Sequence, residues 1–221
     1  MKGFSLLELS IVLVIAALLS SGMIFSLGAQ RDLAAYQDTQ RQLDQVKEAL
    51  LGFALSNGRL PCPAKATLAN TDANAGREDC TLTAGHGVLP WATLGLAEVD
   101  TWGQRLTYYA HSNFTGSVPT GALASFTLDS LGNANIKDST SAGYNIASEL
   151  PAVIVSHGRR GLGGYQNNGS KVAGASGEEA ENADADLTFI AHPQNETFDD
   201  LITWIIPTIL KARLVAVGKL P

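Results

Sequence analysis

Cations, cysteines and aromatic side chains are all scarce in this chain of 221 residues: Lys and Arg number 15 against 21 Asp and Glu, only two cysteines are present, and aromatics make up 7%. The net charge of -6 and the pI near 5.1 exclude a broad nucleic-acid surface, because neutralising phosphates needs clustered Lys and Arg. Two thiols cannot complete a tetrahedral zinc site, and His86 is the one histidine near Cys62 and Cys80. His86, His111, His157 and His192 are scattered singly, with neither a His-Glu-x-x-His nor a His-x-His spacing. Ser156-His157-Gly158 lacks the glycine two positions before the serine that a nucleophile elbow needs. Residues 158–164 hold Arg159 and Arg160 among glycines but no Lys-Ser/Thr ending of a phosphate loop, so they read as a solvated loop with a small anion or partner contact as the alternative. No enzymatic constellation emerges, and the expectation is a non-enzyme.

What is present points to one globular domain and an appended element, since 45% of residues are hydrophobic and 16% charged. The 22 glycines favour strands and tight turns in the second half, hence an α+β class. Cys62 and Cys80 lie in a polar tract that suits a loop staple, and two buried free thiols are the rival reading. A bond closing such a ring stabilises by about 3 kcal/mol and requires an oxidising compartment.

The strongest signal is at the start. Between Lys2 and Arg31 the sole charge is Glu8, and apolar character runs from Phe4 to Leu27. As a helix, rising about 1.5 Å per residue, that run crosses a hydrocarbon layer of about 30 Å. Three plainer readings compete. A secretory signal cut near Ser20-Ser21-Gly22 fits poorly, because apolar residues continue at Leu33, Tyr36, Leu43, Val46, Leu50 and Phe53 with helical spacing. A plain anchor gains nothing from Glu8, which costs about 2.5 to 3.5 kcal/mol within an apolar helix. A buried core helix is rarely so long and apolar.

Gly3, Phe4 and Glu8 at this spacing, opening an apolar helix, resemble the leader and first turn of type IV prepilins and of the pseudopilins of type II secretion. The resemblance implies cleavage after Gly3 by the prepilin peptidase and N-methylation of Phe4. It also implies insertion in a bacterial inner membrane with the C-terminal domain periplasmic, and assembly with other pilin or pseudopilin subunits into a pilus or pseudopilus. Glu8 of one subunit then neutralises the Phe4 amine of a neighbour, while Lys2 holds the leader on the cytoplasmic side. The expected organisation is a leader at 1–3, a transmembrane and filament-core half-helix at 4–28, an amphipathic half at 29–56 and a pilin-like globular domain at 57–221. A minor rather than a bulk subunit is expected from the large, loop-rich domain. The runner-up is a membrane-anchored periplasmic enzyme or binding protein that uses the helix only as a tether.

Within that frame the helix runs from residue 4 to 56, free to bend at Gly22 and Gly28, stopped at Asn57-Gly58 and kept from resuming by Pro61. Residues 59–102 read as a loop similar to the αβ-loop of the family, with Trp91 and Trp102 as core anchors. Strands are expected at 106–110, 125–128, 152–156 and 187–191, forming a small antiparallel sheet that covers the amphipathic helix. A further strand is expected before Pro207, which opens a terminal helix, the rival being a Pro-kinked helix starting near Thr197. The acidic stretch 178–186 offers oxygen ligands for a hard cation. It lacks the turn glycine and terminal Glu of an EF-hand. By the family resemblance, calcium is the candidate ion and Asp184, Asp186 and Asp200 the candidate ligands.

Overall fold

The computed structural model describes residues 5–82, 84–141 and 143–221, together with the backbone but not the side chains of residues 19–27 and 29. The chain divides into two compact units, Met1–Asp38 and Thr39–Pro221. One helix, α1 (Leu6–Asn57), runs through the boundary and continues unbroken past Gly22 and Gly28, so neither glycine interrupts it.

In the first unit the described apolar side chains of α1 from Leu6 to Leu18 are all exposed. Among the described residues no helix is long and apolar enough to cross a membrane. In the second unit α1 becomes amphipathic. Leu43, Val46, Leu50 and Ala54, spaced three or four apart, are buried. Gly58, at φ +71, ends the helix as expected, and a Cβ there would stand 2.1 Å from the Leu123 carbonyl oxygen.

After α1 come β1 (His86–Val88), α2 (Trp91–Leu94), β2 (Gln104–Arg105), β3 (Thr107–Ala110), α3 (Ser112–Thr115), β4 (Ala134–Lys137) and β5 (Asn145–Leu150). They are followed by β6 (Ala152–Ser156), β7 (Tyr165–Gln166), α4 (Glu178–Glu181), β8 (Thr188–Ile190), β9 (Leu201–Ile205) and α5 (Pro207–Ala216). The main sheet has the order β1-β3-β6-β9, antiparallel throughout, with Tyr109 opposite Val153 and Val155 opposite Ile202. A second sheet runs β5-β4-β8 and a two-stranded ribbon joins β2 to β7. Tyr109, Val153 and Val155 of the main sheet meet Ala134, Ile136, Leu150 and Phe189 of the second in one buried cluster. Each Å² of apolar area that this two-sheet interior removes from water stabilises the fold by about 25 cal/mol.

The α+β class therefore holds, but the single antiparallel sheet becomes three, and β4 pairs with β8 in parallel. The long connection between them makes the crossover that a parallel pair requires. Residues 125–128 are not a strand. Their backbone is taken elsewhere: the Ser125 amide donates to the Gly58 carbonyl at the end of α1, and Thr127 with Ser130 closes a turn. The 59–102 segment is not wholly loop, since it contains β1 and α2. Pro207 opens α5 after strand β9, which rules out the kinked helix. Trp91 is buried, whereas Trp102 is only half-buried, in a turn tied by its amide to Asp100 Oδ1.

Candidate functional site

Gly3 and Phe4 lie outside the described residues. Glu8 is in the first turn of α1, where its carboxylate complements the positive end of the helix dipole. Its Oε2 accepts the Ser5 amide at 3.0 Å, and Ser5 Oγ accepts the Leu7 amide at 3.2 Å. This is a capping box, in which two side chains satisfy amides that a helix start leaves unpaired. Sequence reasoning missed this local role, although Ser5-Leu6-Leu7-Glu8 spells it out. Glu8 thus has a reason to be present before any neighbouring copy is considered.

Cys62 and Cys80 form a disulfide, 18 residues apart in sequence. Beside it, Arg59 holds Glu78 with two hydrogen bonds of 2.8 Å, and Glu78 Oε2 accepts the Cys62 amide at 3.0 Å. The Arg59 contact is the main reason that the Glu78 carboxyl titrates below its usual range. Bridged sulfurs are not thiolate ligands, so the proximity of Cys62, Glu78 and Cys80 is a structural staple.

The three candidate calcium ligands are not brought together as a set. Asp184 and Asp186 are exposed, with Asp184 Oδ1 accepting the Asp186 amide and Asp186 Oδ1 accepting the Thr188 amide. Asp200 is instead buried, and its Oδ2 accepts from the Asn182 amide nitrogen at 2.7 Å. It clusters with Glu179 and Asp199. A cation already serves that cluster, because Arg160 pairs with both Glu179 and Asp199. The sequence gap between 160, 179 and 199 conceals this grouping. It also gives Arg160 of the glycine-rich loop a structural partner in place of a free anion contact.

The histidines have separate duties. His111 accepts the Asn113 amide and caps α3, and His192 pairs with Glu178 at 2.8 Å. His157 Nε2 is 2.7 Å from Thr107 Oγ1, and its Nδ1 is 3.8 Å from Asp200 Oδ1. Hydroxyl, imidazole and acid thus stand in sequence. Burial pushes His157 down to about 4 and Asp200 up to about 8, so at neutral pH the acid keeps its proton and gives the imidazole no anionic support.

Sequence reasoning also missed Arg105, which is fully buried. It binds Glu98 through two nitrogens at 2.7 and 3.0 Å, donates to the carbonyls of Ala66, Leu68 and Asn167, and lies 4.6 Å from the Trp91 ring centroid. One guanidinium thereby joins three loops. No protein-family model, no curated protein and no solved structure matches this chain.

Proposed function

We propose that the chain is a filament subunit of the type IV pilin or pseudopilin kind, inserted in a bacterial inner membrane by α1 and assembled through it with other pilin or pseudopilin subunits. The observation that carries this reading is the first stretch of α1, apolar on every side and exposed, with Leu6 at 89%, Val12 at 60% and Leu18 at 68%. Such a helix is unstable against water and persists in lipid or among other helices. In the sequence the apolar run extends on through Leu27, across side chains outside the described set.

The Gly3-Phe4 junction supplies the processing site for a prepilin peptidase, leaving Phe4 as the mature terminus. The capping box holds Glu8 by Oε2, and Oε1 is left to meet the Phe4 ammonium of a neighbouring copy. A carboxylate pinned at the helix start then sets register between subunits. The disulfide fits an oxidising compartment such as the periplasm.

The test is the mass of the N-terminal peptide recovered from membranes of cells with an active prepilin peptidase. The expected species begins at a methylated Phe4. Recovery of intact Met1, or of a released protein beginning near Gly22, overturns the reading. Glu8→Gln separates capping from assembly, because Gln also closes a capping box but carries no charge. It is expected to keep the helix start and lose filaments.

A further inference from the structure

Two neighbouring cavities flank His86, one of about 400 Å³ and one of about 300 Å³, and His86 and Ala185 line both. The His86 ring lies 4.6 Å from the Tyr109 ring and 6.5 Å from that of Phe189. Burial pushes its pKa down to about 4, so at neutral pH the imidazole offers one donor and one acceptor. Among the described residues it has no hydrogen-bond partner. Ala185 stands at φ 65, a left-handed conformation that a residue with a Cβ holds only under constraint. A strained backbone, an unpartnered neutral imidazole and a cavity of ligand size thus coincide.

The charges around the larger cavity decide what it takes. Lys65 and Lys171 line it, opposed by Asp184 alone. Lys171 donates one hydrogen bond to the Ala183 carbonyl, and Lys65 has neither hydrogen bond nor ion pair among the described residues. The apolar wall comes from Leu82, Tyr165 and Phe189. Two ammonium groups, one carboxylate and a neutral imidazole leave one positive charge. A monoanion with an apolar body matches that balance, whereas a phosphate carries more negative charge than this lining offsets.

We propose that the cavities beside His86 form a binding site for a small aromatic carboxylate, its ring against Phe189 and Tyr165 and its carboxylate toward Lys65 and Lys171. The chemistry is shared by free aromatic acids and by the C-terminal residue of a peptide. Nothing in it depends on filament assembly, since the site belongs wholly to the second unit.

The experiment titrates the full chain in detergent with 3-phenylpropionate, N-acetylphenylalanine and N-acetylphenylalanine amide, following the His86 ring resonances and ligand saturation transfer. At least one of the two acids is expected to bind and shift His86, with the amide at least tenfold weaker. Preference for N-acetylphenylalanine assigns the site to peptide termini, and preference for 3-phenylpropionate assigns it to free acids. Lys65→Gln, at an exposed position, is expected to weaken binding several-fold, and Asp184→Asn to strengthen it. Equal binding of acid and amide, absence of binding by both acids, or identical affinity in the two variants overturns the assignment.

Discussion

His157 Nδ1 and Asp200 Oδ1 face each other 3.8 Å apart inside the domain, and neither atom has a hydrogen bond. The gap is too long for a direct bond and too narrow for a bridging water, which needs about 4.5 Å between its partners. A single proton between the two groups satisfies both after a modest side-chain adjustment. Burial is the largest cause of the shifts, raising Asp200 to about 8 and lowering His157 to about 4. Asn182 and Arg160 oppose the Asp200 shift, Glu179 and Asp199 add to it, and Lys171 presses on His157.

The pH dependence follows from proton counts. From about pH 4 to about 6.5 the folded Asp200 holds a proton that its unfolded form lacks, while the unfolded His157 holds one that its folded form lacks, so the two slopes cancel. Between about 6.5 and 8 only the Asp200 difference remains. Stability then falls as pH rises, by up to about 2 kcal/mol from this group. Asp200→Asn, which mimics the protonated acid, is expected to fold and to remove that alkaline decline, as read from urea midpoints at pH 6.5 and 8.

Arg105 is the next point of leverage. Arg105→Ala strands the partly buried Glu98 and three carbonyls and removes the cover from Trp91. The expected loss is about 3 to 5 kcal/mol, measured by denaturant unfolding. Arg105→Lys is expected to recover less than half, because an ammonium cannot make the forked contact.

Replacing both Cys62 and Cys80 by Ser is expected to lower stability by about 3 kcal/mol without unfolding the domain. The Arg59 to Glu78 pair, independent of the sulfurs, still holds the loop. Adding Glu78→Gln to the double variant removes that hold, and the combined loss is expected to exceed the sum of the separate ones.

At the start of α1, Ser5→Ala is expected to cost about 1 kcal/mol of local helix stability. Faster amide exchange at Leu7 in micelles, with the second unit unchanged, is the corresponding measurement. Glu8→Ala is expected to release the Ser5 amide as well.

Much of this architecture was legible where local chemistry and fold agree. β6 is a run of small and β-branched residues after Pro151, and every one of them is buried. Leu201–Ile205 followed by Pro207 read correctly as strand then helix, since proline fits the first turn of a helix. Asn145–Leu150 was not legible, because most of its side chains remain exposed and leave no alternating pattern. Residues 125–128 carry strand-like residues whose backbone is claimed by the end of α1. The groupings around Arg105, Arg160 and Asp200 join residues tens of positions apart, and no spacing rule reports them.

The edge strand β9 and the buried Leu210, Leu214 and Leu220 all follow residue 200 in the chain. Arg213 reaches back to Glu48 and Lys219 to the Ser56 carbonyl. The globular unit therefore cannot close until translation has passed residue 220, long after α1 has been made. A stop codon before Leu210 would remove these contacts, so it should leave a domain fit for proteolysis rather than a shortened working one.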